Sequence, residues 1–511
     1  MKRLSIILWV FSLALAARAQ TNMTADGVSP GGTNGHAMSL QDCIQEALRH
    51  NLDVQFERFE PQKSLYNLRA AYGGYDPALN ISGKHSYNVS PSTFNPYATN
   101  GTPSRVSDQN SFNSGIGGPN GGPGLLPWGL QYDFSGNILE QYGSSGVVPF
   151  DNSSGNIGVT LTQPLLKDFW IDNTRLTIRV AKNRLKFSEQ GLRQQIITSV
   201  TAVENAYYEL IFALENVEVQ REALQLAQTQ LDQDNQRAQI GTLAILDVQQ
   251  DEAQVAQSRA NLIAAQYTLV TDQNALKNLL TDEYSRWHDT DIQPTATLTA
   301  PLQSFDLQES WRKGMTGRPD LLQARLNVEQ QGIQLKFYRN QLFPELDLTG
   351  TYGFNGASRE FNGTFGQINE GNAPFYSYGA QMSIPLSNLG PRNQYKSTKA
   401  TLQQITLQLK QLEQNILVQI DNAVKQAQSA YQSVQATRQA RIYAEAALDA
   451  EQRKYAVGKS TTFTVLQLQN SLTAARSQEI RSLANYNEAL ANLAAQEGST
   501  IERNNINIEA K

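Results

Sequence analysis

Apolar residues recur at every seventh position over long stretches of the chain. Ile196, Val203, Leu210, Val217, Leu224 and Leu231 form one row, with Val200, Tyr207 and Leu214 as a second row beside it. Leu402, Leu409, Ile416, Ala423 and Ala430 repeat the pattern further on. A sustained seven-residue period predicts helices packed along coiled-coil seams. The helix breakers agree. No proline occurs between Pro164 and Pro294 or after Pro391; residues 165–280 hold only Gly191 and Gly241, and residues 392–497 only Gly458. Each stretch therefore reads as a long helix that folds back at one glycine, Gly241 or Gly458. The first helix, over 167–240, would reach roughly 110 Å at 1.5 Å per residue. Helices over 243–280 and 40–72 together match its length, which predicts that they stack end to end beside it.

A different period appears between the helices. After Pro77, Leu79, Ile81, Gly83, His85, Tyr87 and Val89 alternate with Asn80, Ser82, Lys84, Ser86 and Asn88. After Pro344, Leu346, Leu348, Gly350, Tyr352 and Phe354 alternate with Asp347, Thr349, Thr351, Gly353 and Asn355. Two more such runs approach the long helices, around Ile157–Leu161 and Tyr376–Ile384. Alternation over about ten residues with tyrosines near the ends suits a barrel strand between lipid and water, though a half-buried soluble sheet has the same signature. Four strands cannot close a barrel around a channel, so several subunits would each have to donate two hairpins.

The two halves match each other. At an offset of 267, Leu40 meets Leu307, Asp53 meets Asp320, and Pro77 meets Pro344; at an offset of 217, Gly241 meets Gly458, Val248 meets Val465, and Arg259 meets Arg476. Two constant offsets indicate an internal duplication, and their difference places roughly 50 extra residues in the first half. These fall in residues 88–156, which contain 12 glycines, including the run from Gly117 to Gly124. Prolines among those glycines and the lack of a following Lys-Ser/Thr argue against a phosphate cradle. The segment reads as a long, flexible exterior loop, although Leu130, Tyr132, Phe134 and Ile138 alternate and would extend a hairpin.

The chain accordingly divides into a signal peptide (1–19), a flexible mature N-terminus (20–38), a first-repeat helix (39–75), and a first β-hairpin (76–164) with its long loop. A helical hairpin (165–281) and an equatorial linker (282–304) follow. The second repeat has a helix (305–342), a β-hairpin (343–386) and a helical hairpin (387–495), before a polar tail (496–511). Lys2 and Arg3, an apolar stretch to Leu15 and a small-x-small site at Ala17-Arg18-Ala19 mark the signal. Its removal leaves 39 basic against 47 acidic residues, a net charge of −8 that disfavours nucleic acid as a partner. No later apolar window suits a transmembrane helix, so a membrane could be crossed only by a closed barrel. Cys43 is the only cysteine, which rules out an intrachain disulfide. His36, His50, His85 and His288 are scattered without metal spacing, so no catalytic residue, metal or cofactor is expected. An exported structural or adhesive coiled coil would explain the heptads but not the duplicated strand pairs.

The fold-back segments carry a specific resemblance. One reads Ile240-Gly241-Thr242-Leu243-Ala244-Ile245-Leu246-Asp247-Val248-Gln249; its counterpart reads Tyr455-Ala456-Val457-Gly458-Lys459-Ser460-Thr461-Thr462-Phe463-Thr464-Val465-Leu466-Gln467. Together with Gln163-Pro164-Leu165 and Ile384-Pro385-Leu386, this resembles the TolC-like outer-membrane efflux protein family (outer-membrane factors) over roughly residues 39–495. The resemblance implies a mixed α and β membrane protein: a homotrimer with a 12-stranded β-barrel, four strands per subunit, continued by a periplasmic α-helical barrel. It also implies a passive exit duct in the outer-membrane lipid, docked to a periplasmic adaptor protein and an inner-membrane transporter for efflux or type I secretion. Gly241, Thr242, Leu243, Gly458, Lys459 and Ser460 match adaptor-docking positions. Asp247 and Tyr455 match residues that join adjacent hairpins at a periplasmic gate, and Asp251 could add an acid there. The pattern departs at Thr464 and Gln467, where an aspartate ring is expected, and at Ser460, where an arginine is.

Overall fold

The computed structural model describes residues 36–91, 105–119, 121–145 and 148–507. The signal peptide, residues 20–35 and the end of the polar tail (508–511) lie outside them. In chain order the first half has β1 (His36–Met38), α1 (Leu40–His50), α2 (Leu52–Tyr72), β2 (Ala78–Ser90), β3 (Arg105–Gly117), β4 (Gly124–Leu125), β5 (Gln131–Ser145) and β6 (Val148–Pro164). The long helix α3 (Asn173–Gln239) and α4 (Ile245–Leu280) complete it. A linker with α5 (Tyr284–Trp287) and β7 (Ile292–Pro294) follows. The second half has α6 (Leu307–Gly317), α7 (Pro319–Asn340), β8 (Glu345–Ser358), α8 (Phe361–Glu370), β9 (Pro374–Ser383), α9 (Leu389–Ala456), α10 (Thr462–Glu497) and α11 (Thr500–Arg503).

Local chemistry sets the helix ends. Ser39 and Asp42 form a reciprocal capping box at α1, and Asp172 and Thr461 cap α3 and α10 through their side chains. The single helix expected over 40–72 is instead broken at Asn51, whose side chain accepts from the backbone of Asp53 and Val54 to start α2. Arg318 breaks the matching helix of the second half, with Pro319 in the first turn of α7. Helix α3 also begins later than expected. Asn340 Oδ1 accepts from the Asp168 backbone N–H at 2.7 Å and holds that residue at φ 63°, so the chain turns before Asn173.

These breaks are also joints. Asn51 Nδ2 donates to Leu279 O at 3.0 Å, which seats the start of α2 on the end of α4, both packed against α3. Arg318 Nη1 donates to Gln496 O at 3.3 Å and seats α7 on the end of α10. Laterally, α2 and α4 flank α3, α3 packs on α7 and α10, and these pack on α9. The main core lies where α1, α3 and α4 meet, around Cys43, Val203, Tyr207, Leu210 and Leu276. The linker crosses this level as a belt: Tyr207 Oη donates to Met38 O and accepts from Ala296 N–H, and Tyr486 Oη donates to Pro301 O.

The sheet departs most from expectation. It is antiparallel, in the order β2-β3-β5-β6-β8-β9, with β4 appended to β5. Six long strands, rather than four, occupy one continuous ladder. Much of the expected flexible loop 88–156 is wall: β3 pairs with β2 along all thirteen residues, from Ala78↔Gly117 to Ser90↔Arg105, and β5 pairs with both β3 and β6. The turn between β3 and β5 lies at the helical end of the sheet. There Gly129, at φ 94°, sits where a Cβ would strike the Arg175 guanidinium.

Candidate functional site

The ladder registers sort every strand onto two faces. One face carries Leu79 and Ile81 from β2, Phe112 and Ile116 from β3, Phe134 and Ile138 from β5, Ile157, Val159 and Leu161 from β6, Tyr352 and Phe354 from β8, and Tyr376 and Tyr378 from β9. The opposite face carries Asn80, Ser82, Asn113, Ser135, Asn137, Asn156, Thr160, Thr162, Thr349, Thr351, Ser377 and Gln381. On β8 the apolar side runs from Leu346 to Gly356, about 33 Å along the strand and about 25 Å high at a usual barrel tilt, which matches a lipid-facing band. Its upper limit is a polar row in which His85 Nδ1 lies 2.8 Å from Asn110 Oδ1 and Asn110 Nδ2 donates to Glu140 at 3.2 Å. Helix α8 lies on the same face at that level. Thr364 Oγ1 donates to Ser153, and a Cβ on Gly356 would meet the α8 backbone.

At the opposite pole both long helices end in the same way. Gly241 and Gly458 have φ 79° and 74°, and the backbone N–H groups of Thr242 and Lys459 return to Arg237 O and Lys454 O, each at 2.9 Å. This closure satisfies carbonyls that would otherwise be left unpaired and needs a residue without a Cβ penalty. Thr242 Oγ1 also donates to Arg237 O, and Ser460 Oγ donates to Glu451. Ile240 and Leu246 on one tip and Val457 and Phe463 on the other project into solvent at matching positions, beside the partly covered Leu243.

Just inside the tips lies a buried polar cluster that joins the two hairpins. Asp234 on α3 is fully buried. Tyr455 Oη, from α9, donates to it at 2.7 Å, and Gln230 Nε2 donates at 2.7 Å. Thr462 Oγ1, at the start of α10, is 2.9 Å from Tyr455 Oη and also donates to Asp234. Arg237 approaches the same carboxylate at 3.4 Å and lies 4.6 Å above the Tyr455 ring. Asp251, on α4, is buried beside Asp234, and neither of its oxygens has a hydrogen-bond partner among the described residues. Burial first, then Asp234 and Asp247, push its pKa up to about 7. Burial also raises the pKa of Tyr455.

Of the residues expected at the gate, the structure brings Tyr455 and Asp251 into this cluster. Asp247 stays at its edge, in the first turn of α4, where the helix dipole favours an acid. Within the chain the Tyr455 hydroxyl meets Asp234 rather than Asp247. Thr464 belongs to the α10 cap, its hydroxyl 3.0 Å from that of Thr461, and Gln467 is exposed. Asp234, Gln230, Arg237 and Thr462 were missed. The one available signal was the spacing of Ala227, Gln230 and Asp234, which puts them on one helix face.

Comparison with known proteins agrees with this architecture. A family model described as outer membrane efflux protein matches residues 130–281 and 315–499. The chain is 24% identical over 294 residues to outer membrane protein TolC of Escherichia coli K12, covering 57% of this chain and 59% of that relative. It is 24% identical over 372 residues to TolC of Vibrio cholerae, covering 69% and 80%. The solved structure of the outer membrane protein VceC from Vibrio cholerae aligns with a TM-score of 0.65 at 19% identity, covering 90% of this chain and 96% of that one. The matched model spans well over half of the sequence, and the chain belongs to the outer membrane efflux protein family.

Proposed function

We propose that the chain is one sector of a homotrimeric outer-membrane exit duct, built from two duplicated repeats. The observation that carries this reading is the pairing of free edges. Strands β2 and β9 each have one hydrogen-bonded neighbour among the described residues. The helical slab has its open flanks on the same two sides: Phe56, Phe59, Ile263 and Tyr267 are exposed on α2 and α4, and Leu407, Val418 and Tyr443 on α9. Unpaired strand edges in lipid are not viable, and head-to-tail contacts between unlike edges generate a ring when the rotation between copies closes. Copies joined in this way place the apolar face of the sheet in lipid and its polar face around water.

The helical tunnel extends through the periplasm to the tips. Their exposed Ile240, Leu246, Val457 and Phe463, with Thr242, Leu243, Lys459 and Ser460 around the two glycines, form the docking surface for a periplasmic adaptor and, through it, an inner-membrane transporter. The Tyr455–Asp234 cluster holds the two hairpins of one subunit together at the gate. The duct is passive and needs no cofactor. The test is extraction of the protein in detergent followed by planar-bilayer recording and particle imaging. A three-fold tube with a small closed-state conductance is expected. A detergent-independent, soluble stalk without conductance would overturn the reading in favour of an adhesive coiled coil.

A further inference from the structure

The hairpin formed by β3 and β5 carries a consequence for the bore of the channel, and it rests on the trimeric duct proposed above. The hairpin is part of the ladder, not an appendage to it. Twelve residue pairs join β3 to β5, from Arg105↔Ser145 to Ile116↔Phe134, and fifteen join β5 to β6, from Gln131↔Thr162 to Ser145↔Val148. Its side chains obey the same division of faces as its neighbours, with Phe112, Ile116, Phe134 and Ile138 on the apolar side and Ser111, Asn113, Ser135 and Asn137 on the polar side. It spans the full height of the sheet and is fastened at the helical end, where Leu126 N–H donates to Leu130 O at 2.8 Å and Arg175 Nη2 donates to Asp168 O beside Gly129. Removing it from the wall would strip β2 of its partner and leave one edge of β6 unpaired.

The two outer edges are complementary. β2 runs away from the helices and β9 runs back towards them, so β2 of one copy meets β9 of the next antiparallel, the sense of every other pair in this sheet. Both edges present their apolar residues, Leu79 and Ile81 on one and Tyr376 and Tyr378 on the other, on the same face and exposed. We propose that three copies close through β2 and β9 into an eighteen-stranded wall, with the β3–β5 hairpin as the element that widens it. Barrel diameter grows roughly linearly with strand number. At equal tilt the bore in the membrane is therefore about 1.5 times that of a twelve-stranded barrel. The added lining is mostly Ser, Asn and Gln with the single charges Arg105 and Asp133, so the extra width comes with little charge selectivity.

The test is to count strands in the full-length protein in lipid nanodiscs by single-particle cryo-electron microscopy. Eighteen strands, six from each copy, are expected. A closed twelve-stranded wall with residues 105–145 displaced into the lumen or outside it would overturn this inference and leave the duct standing, whereas a particle with no closed wall would overturn both. A second measurement uses deletion of residues 92–147. The largest poly(ethylene glycol) able to enter the pore from the barrel side should fall by about a third in radius; an unchanged cutoff in a channel that still forms would count against the hairpin as the widening element.

Discussion

The two helical hairpins are almost equal, and the two strand units are not. Helices α3 and α9 have 67 and 68 residues, and α4 and α10 have 36 each. The first strand unit has four long strands where the second has two. The reason is geometrical. A helix grows along its axis, so one added turn moves a tip by about 5.4 Å and carries the heptad rows past their partners. A sheet grows sideways, and an antiparallel hairpin returns the chain to the end at which it left. The halves therefore differ where growth is tolerated and agree where two tips must stay level. A second asymmetry sits at those tips, where the first hairpin supplies the buried acids and the second the hydroxyls that bind one of them.

Four experiments probe how far the two halves are alike. The largest effect is expected at a matched pair of core positions, Tyr207 in α3 and Val424 in α9, both buried. Tyr207→Ala should cost about 3–5 kcal/mol by loss of a large buried ring that also bridges to the belt, and Val424→Ala about 1–2 kcal/mol. Hydrogen exchange along α3 and α9 reads the difference; equal losses would show that the halves carry the core equally. Next come the tip residues. Asp234→Ala strands the donors Tyr455, Thr462 and Gln230 and should loosen the closed tip by about 3 kcal/mol, and Tyr455→Phe by about 1.5–3 kcal/mol. Single-channel leak should rise in that order, while Asp247→Ala should leave it near the wild-type level.

The third effect depends on pH. Asp251 ionises near its ordinary 3.8 when the tip is open and at about 7 when it is packed. The packed tip thus holds a proton that the open tip releases. Closure is favoured most at acid pH, weakens as the pH rises through the interval between those values, and changes little above about 7. Asp234 and Asp247 are the charged groups acting on it, and Arg237 and Tyr455 reach it only through their contacts with Asp234. Leak recorded against pH should rise over that interval in the wild type and stay low and flat in Asp251→Asn; a slope that survives the substitution would assign the proton elsewhere. The smallest effect tests equality. Gly241→Ala and Gly458→Ala should each cost about 1–2 kcal/mol, because each imposes a left-handed conformation on a residue with a Cβ. A marked difference in melting temperature between them would mean that one tip is braced by contacts that the other lacks.

The sequence announced some of these regions and hid others. The long helices were legible because Ile196, Val203 and Leu210 repeat at one period without a proline, and the fold-backs because Gly241 and Gly458 interrupt the two runs at matching positions. Strand β5 was legible in part, from the alternation of Leu130, Tyr132, Phe134 and Ile138, but β3 was not, since Asp108, Asn110 and Ser114 fall on its apolar face and dilute the alternation. Their place between β2 and β6 comes from long-range pairing, which no local pattern records. The breaks at Asn51 and Arg318 left local signals that went unread, an Asn able to cap the next helix and a Pro at its first turn, while their seating on a carbonyl at the end of another helix left none. Asp234 is the extreme case, a glutamine-rich helix's ordinary-looking acid whose meaning lies in Tyr455, 221 positions away.

The seam between the halves has a bearing on how the molecule is made. β6 finds its second neighbour in β8, with Thr160 beside Thr351 across 191 positions of chain. Such a distant pairing is slow, because the closure entropy of a long segment precedes any gain from contact. As the polypeptide emerges N-terminus first, β2, β3, β5 and β6 can zip together locally while β6 keeps one raw edge until β8 is delivered. That interval is when a growing chain is most prone to join the wrong strand. The half-built sheet therefore waits with two raw edges, on β2 and on β6, and the extra hairpin adds two strands to the sheet that waits.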